Sequence, residues 1–230
     1  MHIHVGIQNL QSHVRFHDKM EIVELGHMMH GRYREATLKK LAQDAPKGTR
    51  FVVTVPLAVA DPEWKEPFCG IEPEKLRGFE PGEAQDRIVQ QICRAAGLLR
   101  SQTVLIRTPP SFTPGQKLER LRAFVQLPAW KNLRRVWQPE GVWEAAHTVQ
   151  AAREMGIVPV WDPLLASVKT SGDFAYFRVR GPMPSKLLDE HQFFQLLEAC
   201  STFNRSFVVF CGLRARTDAL NFLKFMENED

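Results

Sequence analysis

The chain has 230 residues, 44% of them hydrophobic, four cysteines, a formal net charge of +4 and a pI near 9.0. That length suits one large domain or two small ones with a sizeable core, and no apolar run approaches the roughly 20 residues that a membrane span needs. The charge is mild and forms no single basic block, so nucleic acid is not indicated as a partner.

In chain order, Ile3 to Ile7 reads as a first strand and Met20 to Leu25 as a second. Arg34 to Gln43 has helical character and stops near Pro46-Lys47-Gly48. Arg50 to Ala58 is β-branched and apolar, so a buried strand is expected there, followed by a long loop rich in Pro, Gly and charge from Asp61 to Pro81. Ala84 to Leu99 is an amphipathic helix with Ile88, Ile92, Ala95, Ala96 and Leu99 on its apolar face. Thr103 to Arg107 is the next strand, and Pro109-Pro110 forbids its continuation. Helix over Leu118 to Leu127, strand over Leu133 to Trp137 and helix over Val142 to Met155 follow. Ile157 to Trp161 is a short strand closed by Asp162-Pro163, and Phe174 to Val179 is another. A helix over His191 to Cys200, a strand over Ser206 to Cys211 and a closing helix over Thr217 to Met226 complete the chain.

About eight strands result, most followed by a helix. Their near-continuous apolar character fits strands buried on both faces of a parallel sheet. A single closed α/β barrel is the expected architecture, irregular or incomplete given the short chain, and a doubly wound open sheet is the alternative. Only one glycine follows the first strand, in GIQNL, which lowers a dinucleotide-binding reading. No low-complexity linker divides the chain, so one domain over residues 1–230 is expected.

The four cysteines, Cys69, Cys93, Cys200 and Cys211, form no Cys-x-x-Cys pair and read as reduced thiols. The start, MHIHVGIQNL, lacks the basic start and cleavage site of a signal peptide, so the cytoplasm is the expected compartment.

Several segments resemble the domain of unknown function 72 (YecE-like) family. VLIRTPPSF is similar to its strand-plus-PPSF motif, FAYFRVRG to its Tyr-x-Arg-x-His-Gly strand, MEIVEL to its Val-Glu-Ile motif and FVVTVP to its Phe-x-Val-Lys-Ala-Pro. The order and spacing agree over nearly the whole chain. The resemblance implies a single TIM-like (β/α)8 barrel and no particular reaction. It carries Glu24 onto the family's acidic residue on strand two, Asp162 onto an aspartate closing a later strand, Arg178 onto the motif arginine and Gly181 onto its glycine. Elsewhere the chain departs. Thr54 stands for lysine, Asp61 for histidine, Arg107 for glutamine and Arg180 for histidine. Trp137 occupies a glutamate position and Pro139 an arginine position, and Gly212-Leu213 lie where an asparagine pair is usual. The losses fall at polar strand ends, which implies an altered or lost site.

Three constellations carry candidate chemistry. Arg107, Arg178, Arg180, Arg214 and Arg216 lie at or just past predicted strand ends. Arg178 and Arg180 share a strand face by alternation, suited to gripping a phosphate or carboxylate at the barrel mouth if that face points inward. Alternatively each pairs with a structural carboxylate such as Glu24 or Asp162. The carboxylates Glu24, Asp61, Glu140 and Asp162 could divide acid and base roles, or cap loops and form salt bridges. Glu24, His27 and His30 carry metal-ligating types at a spacing of three, but Gly31 interrupts a helix and no metal is expected. Ser111 lacks a nucleophile motif and reads as a turn cap after Pro110. The cofactor is unknown from sequence.

Two functional readings follow. In the first, a small anionic ligand is bound or turned over at the C-terminal mouth of the barrel. Arg107, Arg178, Arg180 and Glu140 would contact the ligand, and Glu24 and Asp162 would act as acid and base. In the second, the chain is a non-catalytic scaffold for a protein partner that has lost the family's polar site.

Overall fold

The structure is a computed structural model that describes residues 1–9, 19–29, 34–113, 115–167, 170–181, 183 and 186–229. Eight strands form the sheet: β1 (His2–Gln8), β2 (Ile22–Glu24), β3 (Arg50–Thr54), β4 (Thr103–Thr108), β5 (Arg134–Pro139), β6 (Val158–Trp161), β7 (Gly172–Val179) and β8 (Phe203–Phe210). They neighbour one another in chain order and close as a barrel. β8 pairs in parallel with β1 from His2 to Ile7, which excludes the open doubly wound sheet. The helices are α1 (Glu35–Asp44), α2 (Leu57–Ala60), α3 (Glu83–Leu99), α4 (Gln116–Val125), α5 (Ala145–Glu154), α6 (Glu190–Ser201) and α7 (Ala215–Glu229). Contacts divide the chain into two compact units. One is Met1–Glu24 with Pro46–Arg50 and Val160–Asp230, and the other is Leu25–Ala45 with Phe51–Pro159.

In the first unit, strand alternation sorts side chains onto two buried faces. Val5, Ile7, Ala175, Phe177, Val179, Val208 and Phe210 pack against Phe193, Leu196, Ala219 and Phe222 of α6 and α7. Burying each such Phe or Leu is worth about 1.5–3 kcal/mol. The opposite, inner face carries His4, Phe174, Tyr176 and Phe207, whose rings meet edge-on or tilted. Gly6 lies in β1 where it faces Ile22 of β2. A Cβ there would sit 2.0 Å from the Ile22 carbonyl oxygen, so only glycine permits this strand approach. α6 starts with a reciprocal cap in which the Asp189 side chain accepts from the Gln192 N–H and the Gln192 side chain accepts from the Asp189 N–H.

In the second unit, the strand expected to reach Ala58 ends at Thr54. Pro56 supplies no N–H to the ladder, and its extended backbone launches the short helix α2. The loop from Asp61 to Pro81 contains a 3-10 turn at Pro73–Lys75 and a bridge between Phe68 and Ile71. α3 buries Ile88, Val89, Ile92, Ala95, Ala96 and Leu99, as its period predicts. β4 stops at Thr108, directly before the double proline. Phe79, Phe112, Phe124 and Trp130 form a buried aromatic cluster, with the Trp130 indole donating to the Phe124 carbonyl at 2.7 Å.

Candidate functional site

Period-two alternation in the segment FAYFRV puts Tyr176 and Arg178 on the same inner face of β7. Both reach Glu24, the last residue of β2. The Arg178 Nε donates to Glu24 Oε2 at 2.9 Å and Nη2 donates to Oε1 at 3.0 Å. The Tyr176 hydroxyl donates to Oε2 at 2.9 Å. Glu24 and Tyr176 are 0% exposed and Arg178 1%. This is a bidentate charge pair with a third donor, sealed from water. Burial opposes the Arg178 charge more than any other single influence, but Glu24, Cys211 and Tyr176 together outweigh it and hold the guanidinium above its ordinary range. Burial, with Glu24 alongside, pushes the Tyr176 phenol well up, so it stays protonated as a donor. The Cys211 thiol adds in the same direction to both groups.

Asp162 follows β6 and is 8% exposed. Its Oδ2 accepts the backbone N–H groups of Arg180 and Gly181 at 2.7 and 3.0 Å, and its Oδ1 accepts that of Leu164 at 2.9 Å. The carboxylate therefore fastens the ends of β6 and β7 together. Arg180 lies one residue past β7 and is exposed. The structure does not bring its guanidinium together with that of Arg178, which is buried on Glu24. Arg214 and Arg216 are exposed at the start of α7.

The second unit pairs its candidates locally. Arg107, near the end of β4, forms a salt bridge with Glu140, just past β5. The Ser111 hydroxyl donates to Asp61 Oδ1 at 2.8 Å, while Asp61 also accepts the Glu63 N–H at 2.9 Å. Ser111, in the turn after Pro110, thus ties that turn to the loop after α2. Trp137 is fully buried and its indole donates to the Thr108 hydroxyl at 3.2 Å. Thr54 is fully buried too, and among the described residues its hydroxyl has no hydrogen-bond partner.

His30 lies outside the described residues. Among those described, no group of three or more His, Cys, Asp or Glu side chains is arranged to hold a metal ion. His4, on the opening strand, meets Glu21 Oε2 through Nδ1 at 2.9 Å, and Arg50 donates to the same oxygen at 2.7 Å. Burial lowers the His4 pKa, with Glu21 partly opposing. Sequence reasoning missed Tyr176 as a partner of Glu24. Its even spacing from Arg178 was the available signal. No helix of the described residues is long and apolar enough to cross a membrane.

No protein-family model matches this sequence, and no curated protein matches it. Solved structures do. A DUF72 family protein from Enterococcus faecalis V583 superimposes with a TM-score of 0.72 at 13% identity, covering 98% of both chains. A DUF72 family protein from Thermotoga maritima MSB8 gives 0.68 at 21% identity, covering 99% of this chain and 100% of that one. A xylose isomerase domain containing protein from Salmonella typhimurium LT2 gives 0.54 at 11% identity, covering 91% and 86%. The chain therefore has the eight-stranded TIM-barrel fold of the DUF72 family proteins.

Proposed function

We propose that this chain is a non-catalytic binding protein that uses the barrel as a scaffold. The observation that carries this reading is the state of Glu24. An acid–base carboxylate must reach a substrate proton. Glu24 is instead 0% exposed, with both oxygens taken by Arg178 and Tyr176. Asp162, the other acid–base candidate, spends its two oxygens on three backbone N–H groups. Trp137 and Thr54 add bulk and apolar surface at positions where the resembled family has charged groups.

One part of the anion-binding reading keeps support. Arg180, Arg214 and Arg216 are exposed near the ends of β7 and β8, which favours recognition of negative charge without turnover.

Thermal-shift titration with inorganic phosphate, sugar phosphates and small carboxylates tests the proposal. The expected result is no saturable stabilisation that depends on Glu24 or Arg178. A saturable shift that disappears in Glu24→Gln, while that variant still melts cooperatively, would reinstate the catalytic reading.

A further inference from the structure

Four large apolar side chains stand exposed on loops of the first unit. Leu165 follows β6, Met183 and Leu187 lie between β7 and α6, and Leu213 lies between β8 and α7. Their exposures are 61%, 52%, 47% and 87%. Scattered single apolar groups need no explanation, but several on one edge do. β6, β7 and β8 are parallel neighbours, so the loops leaving their C-terminal ends emerge on one edge.

Described residues beside them are held by hydrogen bonds. Asp162 fastens the end of β6 to Arg180 and Gly181. Asp218 in α7 accepts the Leu188 N–H at 3.0 Å, fastening the loop after β7 to the helix after β8. Leu188 itself is 8% exposed, and a Cβ on Gly181 would sit 2.7 Å from its methyl group. The exposed groups therefore rise from a packed base.

Exposed cations lie on the same loops and at the start of α7. Arg180, Lys186, Arg214 and Arg216 are all exposed, and none forms a salt bridge among the described residues. The nearby carboxylates are mostly committed. Asp162 and Asp218 hold backbone N–H groups, Asp218 also faces Arg214, and Asp189 caps α6. Asp189 and Glu190, at the start of α6, are exposed. The edge is apolar at its tips, and its four exposed cations outnumber its two exposed acids, while Asp162 and Asp218 are buried.

We propose that this edge is a docking surface for an acidic protein segment that carries apolar side chains. A small anion would leave the four apolar tips uncovered. An anionic bilayer would press lipid charge against Asp189 and Glu190, whereas a protein segment can place its acids over the cations and its apolar groups over the leucines. This inference rests on the reading of the chain as a binding protein.

The test selects short random peptides displayed on phage against the full chain, then measures the enriched peptides by fluorescence anisotropy. Two variants probe the edge, R180E/R214E and L187Q/L213Q. All four positions are exposed, so circular dichroism and melting temperature should match the parent. Enriched peptides should be acidic with apolar residues. Each variant should weaken them by about tenfold, and added salt should weaken them further. Enrichment of neutral or basic peptides, or equal binding by parent and variants, overturns the proposal. So does co-sedimentation with phosphatidylcholine–phosphatidylserine vesicles that both variants abolish while no peptide is enriched. Glu24→Gln should leave peptide binding unchanged, so failure at the edge stays distinct from failure of the non-catalytic reading.

Discussion

Arg178→Met is the sharpest perturbation of the buried pair. It removes both guanidinium donors from Glu24 and leaves the carboxylate with the Tyr176 hydroxyl alone. Because Glu24 is 0% and Arg178 1% exposed, water cannot screen the stranded charge. Breaking a buried pair from one side costs about 3–5 kcal/mol, against about 0–1 for a surface pair. For a chain of this size that is a fall of roughly 6–20 °C in melting temperature. Glu24→Gln/Arg178→Met removes the stranded charge as well. It should recover most of the loss, giving a coupling of about 2–3 kcal/mol in the double-mutant cycle. Urea melts followed by circular dichroism, compared at constant slope, supply the numbers. Amide hydrogen exchange on the double variant should show faster exchange across Ile22–Glu24 despite its recovered stability. An Arg178→Met loss near 1 kcal/mol, or single losses that simply add, would refute the sealed-pair account. Should Arg178→Met fail to fold, Glu24→Gln and the double variant still decide it.

Gly6→Ala should cost about 3 kcal/mol or more, since its Cβ meets the Ile22 carbonyl at 2.0 Å. Gly97→Ala, in open space within α3, should instead stabilise by about 0.5–1 kcal/mol; the same urea melts check both, and a neutral Gly6→Ala would sink the close-approach argument. In native protein an aromatic disulfide reagent should label the partly exposed Cys69 and Cys93 first. Cys200 is 0% exposed and its thiol is pushed up to about 12 by burial, so it should react only on unfolding; peptide mass spectrometry showing it labelled as fast as Cys69 would contradict this. His4 has a folded pKa lowered by burial, so the unfolded chain binds the proton more tightly. Its contribution to stability is full above its unfolded value of 6.5 and is lost as pH falls through the lower folded value. Melting temperature should therefore drop across that window, and His4→Gln should flatten the slope; an unchanged slope would remove His4 as its source.

The framework was legible because each local signal had one strong physical cause. The double proline after Thr108 admits no further ladder hydrogen bond, and β4 ends there. The apolar spacing of Ile88, Ile92, Ala95 and Leu99 fits only a helix face, and α3 buries it. Where a signal had two causes, the reading slipped. The run from Arg50 to Ala58 is apolar throughout, yet Pro56 divides strand from helix within it. The candidate site was legible as residue types and not as partners. Arg178 and Arg180 share parity, but β7 ends between them, so one is buried and the other exposed. Glu24 and Arg178 lie 154 positions apart, and the pairings of β2 with β1, β1 with β8 and β8 with β7 bring them together.

That long-range pair also bears on the register of the sheet. β2 has three residues and pairs with β1 at three positions, a short ladder with little of its own to fix its register. A slip of one residue would turn Glu24 to the other face and set Val23 against Arg178. The stranded guanidinium, buried and unmatched, would penalise that slip far more than lost apolar packing would. A buried ion pair is weak evidence for stability but a good device for registry. Trp137 and Pro139 stand on β5, whose end is tied to β4 by the part-buried Arg107–Glu140 salt bridge rather than by a fully buried pair. The buried Glu24, Tyr176 and Arg178 group therefore has a role in fixing the scaffold's register that needs no catalysis.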